Sequence, residues 1–184
     1  MAAERRNLVA HHQSFAGKVA ATIAIMLIAV LTVSDRCSRG QTVDTAGPAV
    51  VALLREQWPA AAIDTALLPD EEAEIAAYLT QQSSSGAALV LTVGGTGLSP
   101  RDRTPEATRR VLDREVPGLS EAMRSRGSEK NQFAWLSRGL AGLRGTTLII
   151  NLPGSLRAAQ ESLACILPLL PHALEVASGG QLHP

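Results

Sequence analysis

The chain has 184 residues, a length that suits a single domain, and hydrophobic residues make up 46% of it, enough for a sizeable core. Lys plus Arg and Asp plus Glu both total 17, so the net charge is zero, and without a basic block no nucleic acid is expected as a partner. Cys37 and Cys165 form no CxxC pair, which suits a reducing, cytoplasmic location, and the four histidines lack the spacing of a zinc site.

The N-terminal part contains an apolar run with two competing interpretations. Val19 to Val33, "VAATIAIMLIAVLTV", follows basic residues and resembles the start of a signal peptide. It is shorter than the ~20 residues that span a bilayer, and the following "SDRC" offers no A-x-A cleavage pattern. We favour a buried first strand at Leu27–Val33, because buried parallel strands are short continuous apolar runs. Residues 1–25 are then a dispensable extension of a domain at residues 26–184, and no membrane association is expected.

The rest of the chain alternates strand and helix patterns. After the first strand, the predicted elements are helix Pro48–Trp58, strand Ile63–Leu68, a helix in "PDEEAEIAAYL" capped by Asp70, strand Ala87–Val93, a helix starting at Pro105 and capped by Thr104, helix Leu119–Arg126, a short hairpin strand near Leu136–Leu140, strand "TTLIIN", a helix capped by Ser155 and a last helix at His172–Ala177. This order predicts an α/β fold, with a mostly parallel sheet covered by helices on both faces.

Ligands of such folds bind at the carboxyl ends of the strands. Four predicted loops meet there, and each follows a strand: Ser34–Asp35, Pro69–Asp70, Gly94–Thr104 and Asn151–Ser155. Three of the four loops contain an aspartate. We therefore expect the functional site at this edge of the sheet.

The third of these loops contains three glycines in "GGTG". Gly94, Gly95 and Gly97 admit positive φ and let backbone N–H groups approach a ligand, while Thr96 adds a hydroxyl. The following helix directs its positive end toward the loop, so an anion such as phosphate is the expected ligand. The loop lacks the Lys-[Ser/Thr] ending of a P-loop, and GGTG alone is more typical of a tight turn than of a phosphate site.

Two aspartates make a metal possible at the same edge. Carboxylates near phosphate commonly hold Mg²⁺, which takes one or two of them together with phosphate oxygens and water. The competing interpretations are that Asp70 only caps its helix and that Asp102 is a turn residue or an ion-pair partner of Arg101 or Arg103. From the residues alone, the anion site is favoured and the reaction stays open.

Four motifs together resemble the molybdopterin adenylyltransferase family of molybdenum cofactor biosynthesis. They are "TVGGTGLSPRDRTPEAT", "LTVSDRCSRG", "LLPDEE" and "IINLPGS", and the resemblance covers nearly all of residues 27–178 in the family's order. Residues 1–25 have no counterpart in compact members, and Leu156 stands where a proline or polar residue is usual.

The resemblance implies a three-layer α/β/α molybdopterin-binding domain that assembles as a homotrimer. The implied reaction transfers AMP from Mg·ATP to the terminal phosphate of molybdopterin and releases pyrophosphate, and a molybdate-inserting enzyme would act next. The family's two functional aspartates match Asp70 and Asp102, which are assigned to catalysis and Mg²⁺. The implied substrate-binding residues are Ser34, Asp35, Gly94, Gly95, Thr96, Gly97, Ser99, Glu106, Asn151, Pro153, Gly154 and Ser155. The alternatives are a molybdopterin-binding module that delivers the cofactor without catalysis and a non-catalytic interaction subunit.

Overall fold

The computed structural model describes residues 26–180, and within that range the chain alternates strands and helices as the pattern predicts. The elements are β1 Leu27–Val33, α1 Asp35–Ser38, α2 Ala46–Gln57, β2 Ala62–Leu68, α3 Glu72–Ser84, β3 Leu89–Val93, α4 Thr104–Val111, β4 Arg114–Glu115, α5 Pro117–Ser128, β5 Ala141–Arg144, β6 Thr147–Leu152, α6 Leu156–Ile166 and α7 Leu170–Ala177, with short 3-10 helices at Gln132–Leu136 and Leu167–Leu169. The predictions for residues 1–25 lie outside the described residues.

The six strands form one sheet in the order β2-β1-β3-β6-β5-β4. β1 pairs in parallel with both β2 and β3, and β3 pairs in parallel with β6. Only the β6-β5-β4 edge is antiparallel. The carboxyl ends of β1, β2, β3 and β6 therefore lie along one edge, and the mostly parallel sheet is confirmed.

The central strands are apolar on both faces because helices cover both. On one face Ala29 and Leu31 of β1 pack in a cluster with Ile75 and Leu79 of α3. On the other face the cluster joins sheet residues to α2, α5, α6 and α7; its members include Ile28, Val30, Leu54, Met123, Leu163 and Leu174. The three-layer α/β/α architecture follows from this two-sided burial.

Some predicted boundaries are wrong. Asp70 is not a helix cap: α3 begins at Glu72 with Glu71 at the cap position, and the Asp70 carboxylate instead accepts a hydrogen bond from the N–H of Asp35, the first residue of α1. Thr104 is the first residue of α4 and not its cap. The predicted strand near Leu136–Leu140 is also wrong, since the hairpin strand β5 lies further along the chain.

The β5-β6 hairpin lies later in the chain than the sequence predicts, because its turn is at Gly145. Gly145 adopts a φ of +56° between β5 and β6, a conformation that glycine allows, and it sets the register of the two strands. The segment before β5 forms a 3-10 helix, where the Asn131 side chain accepts a hydrogen bond from the Phe133 N–H at 3.1 Å.

Within residues 26–180 no helix is both long enough and apolar enough to cross a membrane. Cys37 and Cys165 are both free thiols.

Candidate functional site

The loops after β1 and β2 are joined by two aspartates that bond to each other's backbone. The Asp35 N–H donates to Asp70 Oδ2 at 2.9 Å, and the Asp70 N–H donates to Asp35 Oδ1 at 3.3 Å. This exchange needs the parallel β1-β2 register, which pairs Val33 with Leu68 just before the two loops. It fixes both carboxylates at the carboxyl edge of the sheet.

Asp70 retains one carboxylate oxygen without a partner. The residue is 9% exposed, and its Oδ1 is buried and makes no hydrogen bond in the described part of the chain. Burial raises the pKa of Asp70, and the negative charges of Asp35 and Asp102 add to the increase, against the hydrogen bond from the Asp35 backbone. Buried polar atoms are nearly always paired, so an unpartnered carboxylate oxygen indicates a place for a cation.

Arg101 forms ion pairs with two acidic side chains next to Asp70. Its guanidinium donates to both oxygens of Asp35, at 2.9 and 3.0 Å, and to Glu71 Oε1 at 2.7 Å. The Arg101 hydrogen bond is the largest of the effects that hold the pKa of Asp35 below its usual value. Arg101 therefore pairs with Asp35 and Glu71, and the ion pair between Arg101 and Asp102, one of the alternatives raised by the sequence, is not formed.

Asp102 stands directly behind the glycine loop. Its Oδ2 accepts a hydrogen bond from the Ser99 N–H at 2.8 Å, which closes the turn after Gly97. A Cβ placed on Gly97 would lie 3.0 Å from the same oxygen, so the carboxylate touches the loop. Asp102 thus stabilises a turn, as the simpler interpretation proposed, and it also lines the cleft described below.

The glycines permit a close approach of three loops. Gly94 and Gly95 have φ values of +109° and +64°, which strongly favour glycine. A Cβ on Gly95 would collide with Thr104 Oγ1 and would lie 2.8 Å from Asp70 Oδ1, while a Cβ on Gly154 would lie 3.1 Å from Gly94 Cα. The loops after β2, β3 and β6 therefore meet at the glycines, as the sequence predicts.

The same loop presents backbone donors that the chain does not use. Among residues 26–180, the N–H groups of Thr96, Gly97 and Leu98 donate no hydrogen bond. Successive backbone N–H groups in a turn can form a concave binding place for an anion. The loop therefore combines amide donors with the nearby carboxylates of Asp70 and Asp102.

A cleft of about 510 Å³ opens beside the loop. Eight of the predicted site residues line it: Gly95, Thr96, Gly97, Asp102, Asn151, Pro153, Gly154 and Ser155. The other six predicted residues are not among its lining residues in the described chain: Ser34, Asp35, Asp70, Gly94, Ser99 and Glu106. Ser34 instead accepts a hydrogen bond from the Cys37 N–H at 3.2 Å and caps α1.

The opposite wall of the cleft was missed from the sequence. It is built by α5, the following 3-10 helix and the start of α6, and includes Ser120, Met123, Arg124, Lys130, Phe133, Ser137 and Arg157. Lys130 and Arg157 both bond to Glu161 Oε1 at 3.0 Å. Two of the wall's basic side chains could have been suspected from "MRSRGSEK", but charged residues on a helix usually indicate only a solvated face.

Asn151 lines the cleft but has no free polar group, while Glu106 lies outside the lining and keeps one buried oxygen, Oε2, without a partner in the described chain. Asn151 is 2% exposed, donates to the hydroxyls of Thr92 and Thr108 at 2.9 Å each, and accepts from the Leu140 N–H at 3.0 Å. Glu106 Oε1 accepts a hydrogen bond from Arg138. Burial alone would raise the pKa of Glu106, but the hydrogen bonds from Arg138 and from its own backbone N–H outweigh that effect and lower it.

A metal at this edge would depend on its substrate for some of its ligands. Within the described range no group of three or more His, Cys, Asp or Glu side chains is arranged to hold a metal ion. Mg²⁺ commonly takes only one or two carboxylates and completes its shell with phosphate and water. The free Oδ1 of Asp70 and the carboxylate of Asp102 fit that requirement.

Residues 29–172 match the family model described as "Probable molybdopterin binding domain". A solved structure, of the molybdopterin biosynthesis enzyme MoaB from Thermus thermophilus, matches with a TM-score of 0.79 and 50% sequence identity over 84% of this chain and 98% of that one. A molybdopterin adenylyltransferase of Haemophilus influenzae is 40% identical over 142 residues, which cover 76% of this chain and 72% of that protein.

Other relatives are longer than this chain. A molybdenum cofactor biosynthesis bifunctional protein of Synechococcus elongatus is 42% identical over 158 residues, which cover 85% of this chain and 49% of that protein. The chain spans about half the length of that relative, and 22% and 25% of the length of two further curated relatives.

Proposed function

The chain belongs to the family of probable molybdopterin binding domains, and on that premise we propose that it transfers AMP from ATP to the terminal phosphate of molybdopterin in molybdenum cofactor biosynthesis. The products are adenylylated molybdopterin and pyrophosphate. The relative from Haemophilus influenzae is named for this activity.

One observation carries the proposal. An unpartnered, buried carboxylate oxygen on Asp70 lies beside a loop that has three free backbone N–H groups. Carboxylate and amide donors have opposite preferences, since the first attracts cations and the second attracts anions. A phosphate that carries Mg²⁺ satisfies both, and a Mg·nucleotide is such a ligand.

The chain's own part in the reaction is to bind and orient. The free N–H groups of Thr96, Gly97 and Leu98 would hold phosphate oxygens of the nucleotide, and the cleft between the loop after β6 and α5 would hold the pterin. The terminal phosphate oxygen of molybdopterin then attacks the α-phosphorus of ATP in line; the bond to the β-phosphate oxygen breaks and pyrophosphate leaves. Asp70 and Asp102 would hold Mg²⁺, which supplies positive charge to the reacting phosphates. No protein nucleophile is needed, since positioning and charge neutralisation supply the catalysis.

The test compares Asp102→Asn with a matched control, Asp113→Asn. Each aspartate accepts one backbone N–H in a turn: Asp102 from Ser99 at 2.8 Å and Asp113 from Gly145 at 2.6 Å. Asparagine retains an acceptor oxygen, so both variants should fold and melt like the wild type. We expect Asp102→Asn to transfer AMP about 10²–10³-fold more slowly, a loss of ~3–4 kcal/mol of transition-state stabilisation, and Asp113→Asn to be unaffected.

The outcome also separates the alternatives. If Asp102→Asn transfers AMP at nearly the wild-type rate, the aspartate has only its role in the turn. If the wild-type chain binds molybdopterin tightly but never releases pyrophosphate from ATP, the protein is a binding and delivery module and not a transferase.

We further propose, from the resemblance, that the protein is a cytoplasmic homotrimer with one site per subunit and that it passes its product to a molybdate-inserting enzyme. Light scattering on the purified full chain at micromolar concentration should return three times the monomer mass. A monomer mass would contradict the trimer.

A further inference from the structure

Arg138 binds the glycine loop at three sites along its backbone. Its own N–H donates to the Thr96 carbonyl at 2.9 Å. Its guanidinium donates to the Gly97 carbonyl at 2.7 Å and to the Asp102 carbonyl at 2.8 Å. Another guanidinium nitrogen pairs with Glu106 on α4. One residue thus ties both ends of the Thr96–Asp102 turn to the first turn of a helix.

These contacts determine where the loop's N–H groups point. In a trans peptide the C=O and the following N–H point in opposite directions, and no peptide bond of the described chain is cis. Arg138 donates hydrogen bonds to the carbonyls of Thr96, Gly97 and Asp102. The N–H groups that follow these carbonyls, those of Gly97, Leu98 and Arg103, therefore point away from Arg138. None of those three N–H groups donates a hydrogen bond within residues 26–180.

The choice of arginine suits this arrangement. The guanidinium is planar and presents several donors in a fixed fork, so it can serve two carbonyls and a carboxylate at once. The Glu106–Arg138 pair is partly buried, with side-chain exposures of 29% and 34%. Glu106 anchors the guanidinium through Nη1, a different nitrogen from the two that reach the loop carbonyls. A lysine has a single nitrogen and cannot reproduce this geometry.

We propose that Arg138 is a positioning residue: it holds the carbonyls of the glycine loop on one side so that the Gly97 and Leu98 N–H groups face the phosphate groups of the substrate. Glu106, assigned above to substrate binding by resemblance, is in this view the anchor of Arg138. The identity of the anion as a nucleotide phosphate rests on the proposed function, but the orientation of the loop does not.

The test uses the full-length protein and magnesium pyrophosphate as the probe. Amide NMR signals of Gly97 and Leu98 are followed during titration of the wild type, Arg138→Met, Arg138→Lys and the control Arg144→Met. Arg144 also donates from its guanidinium to a backbone carbonyl, that of Val111 at 3.0 Å, away from the loop. Thermal melting checks that each variant is folded.

We expect the two amide signals to shift in the wild type and in Arg144→Met. In both Arg138 variants the affinity for pyrophosphate should fall at least 10-fold, and the KM for ATP should rise similarly. Arg138→Lys retains the positive charge, so its failure to restore binding would support the fork geometry over simple charge. If Arg138→Met does not fold, Arg138→Lys alone decides the question.

Two results would overturn the inference. One is a folded Arg138→Lys protein that binds pyrophosphate as tightly as the wild type with the same shift at Leu98, whose N–H the guanidinium orients through the Gly97 carbonyl. The other is wild-type binding that moves neither signal. A wild type that binds through these amides but transfers no AMP would instead overturn the proposed reaction and support the positioning role of Arg138.

Discussion

Asn151 and Asp70 are both buried polar side chains at the carboxyl edge of the sheet, but they differ in how many of their polar atoms are hydrogen-bonded. Asn151, in β6, is 2% exposed and bonds at both ends of its amide, to Thr92, Thr108 and the Leu140 N–H. Asp70, just after β2, is 9% exposed and bonds through one oxygen only. The two side chains therefore differ in their hydrogen bonding and not in their burial.

The comparison distinguishes a buried polar side chain that stabilises the fold from one that is available to bind a ligand. A buried polar group whose partners are all present contributes to the unique packing of the fold. A buried carboxylate with a missing partner, next to two other carboxylates, lowers the stability of the free protein, and under the proposed function Asp70 is retained for the cation that it binds. The first three of the four predictions below test this distinction, and all four are ordered from the largest expected effect to the smallest.

Asp70→Asn should lower the rate of AMP transfer by about 10²–10³-fold without lowering stability. The folded-state pKa of Asp70 is raised, so the stability linked to it is present below the ordinary pKa of 3.8 and lost as the pH rises through the folded pKa. At pH 7 the ionised group therefore costs stability, and the neutral amide should melt at the wild-type temperature or above it. Transfer assays and thermal melts check both parts.

Asp64→Asn is the matched control for that prediction. Asp64 lies on β2, the strand that leads to Asp70, and its carboxylate accepts a hydrogen bond from Gln82 Nε2 at 2.9 Å. The Asp64→Asn substitution should leave the rate of AMP transfer unchanged. A large loss of stability in Asp70→Asn, with activity retained, would mean that Asp70 is structural like Asn151.

Asn151→Ala should show the reverse behaviour, with a loss of stability. The substitution leaves the Leu140 N–H and two threonine hydroxyls without their partner, at a cost of about 2–3 kcal/mol in the free energy of unfolding. The melting temperature should fall by roughly 4–12 °C. Asn131→Ala is the control, since its exposed side chain accepts a single N–H from Phe133, and it should fall by much less. Equal melting of the two variants would contradict the structural role of Asn151.

Glu106→Gln should have a smaller and pH-dependent effect. The pKa of Glu106 is lowered, so its pair with Arg138 contributes stability above the ordinary pKa of 4.5, and this contribution is lost as the pH falls through the folded pKa. Because both side chains are partly in solvent, the loss at pH 7 should be about 0.5–1 kcal/mol. Denaturant unfolding at pH 7 and pH 3 checks the difference, with the exposed Glu121→Gln as control. A loss that is the same at both pH values would exclude the ion pair as its cause.

Removal of residues 1–25 should have the smallest effect. A chain that begins at Met26 retains every described strand, helix and site residue, so it should match the full chain in melting and in AMP transfer. Insoluble or inactive protein would show that the apolar run before Met26 belongs to the core.

The fold was accessible from the sequence because apolar runs mark its strands. Leu27–Val33 has the predicted bounds, and the four strand-end loops meet where parallel strands require. The contact between Asp35 and Asp70 depends on the register of two strands, and the two aspartates are 35 residues apart, so no local pattern encodes it. The α5 wall of the cleft and the contacts of Arg138 with the glycine loop were missed for the same reason, since each depends on contacts between distant segments.

The most direct test of the account is a ¹³C NMR titration of the Asp70 carboxyl group, with and without Mg²⁺ and ATP. In the free protein Asp70 should titrate above its ordinary pKa of 3.8, because the carboxylate is buried beside Asp35 and Asp102. A cation bound to the unpartnered oxygen favours the ionised form, so the pKa of Asp70 should fall when Mg²⁺ and ATP are added together. A pKa of Asp70 that does not move on addition of Mg²⁺ and ATP would contradict the claim that this oxygen is kept for the metal-bound substrate.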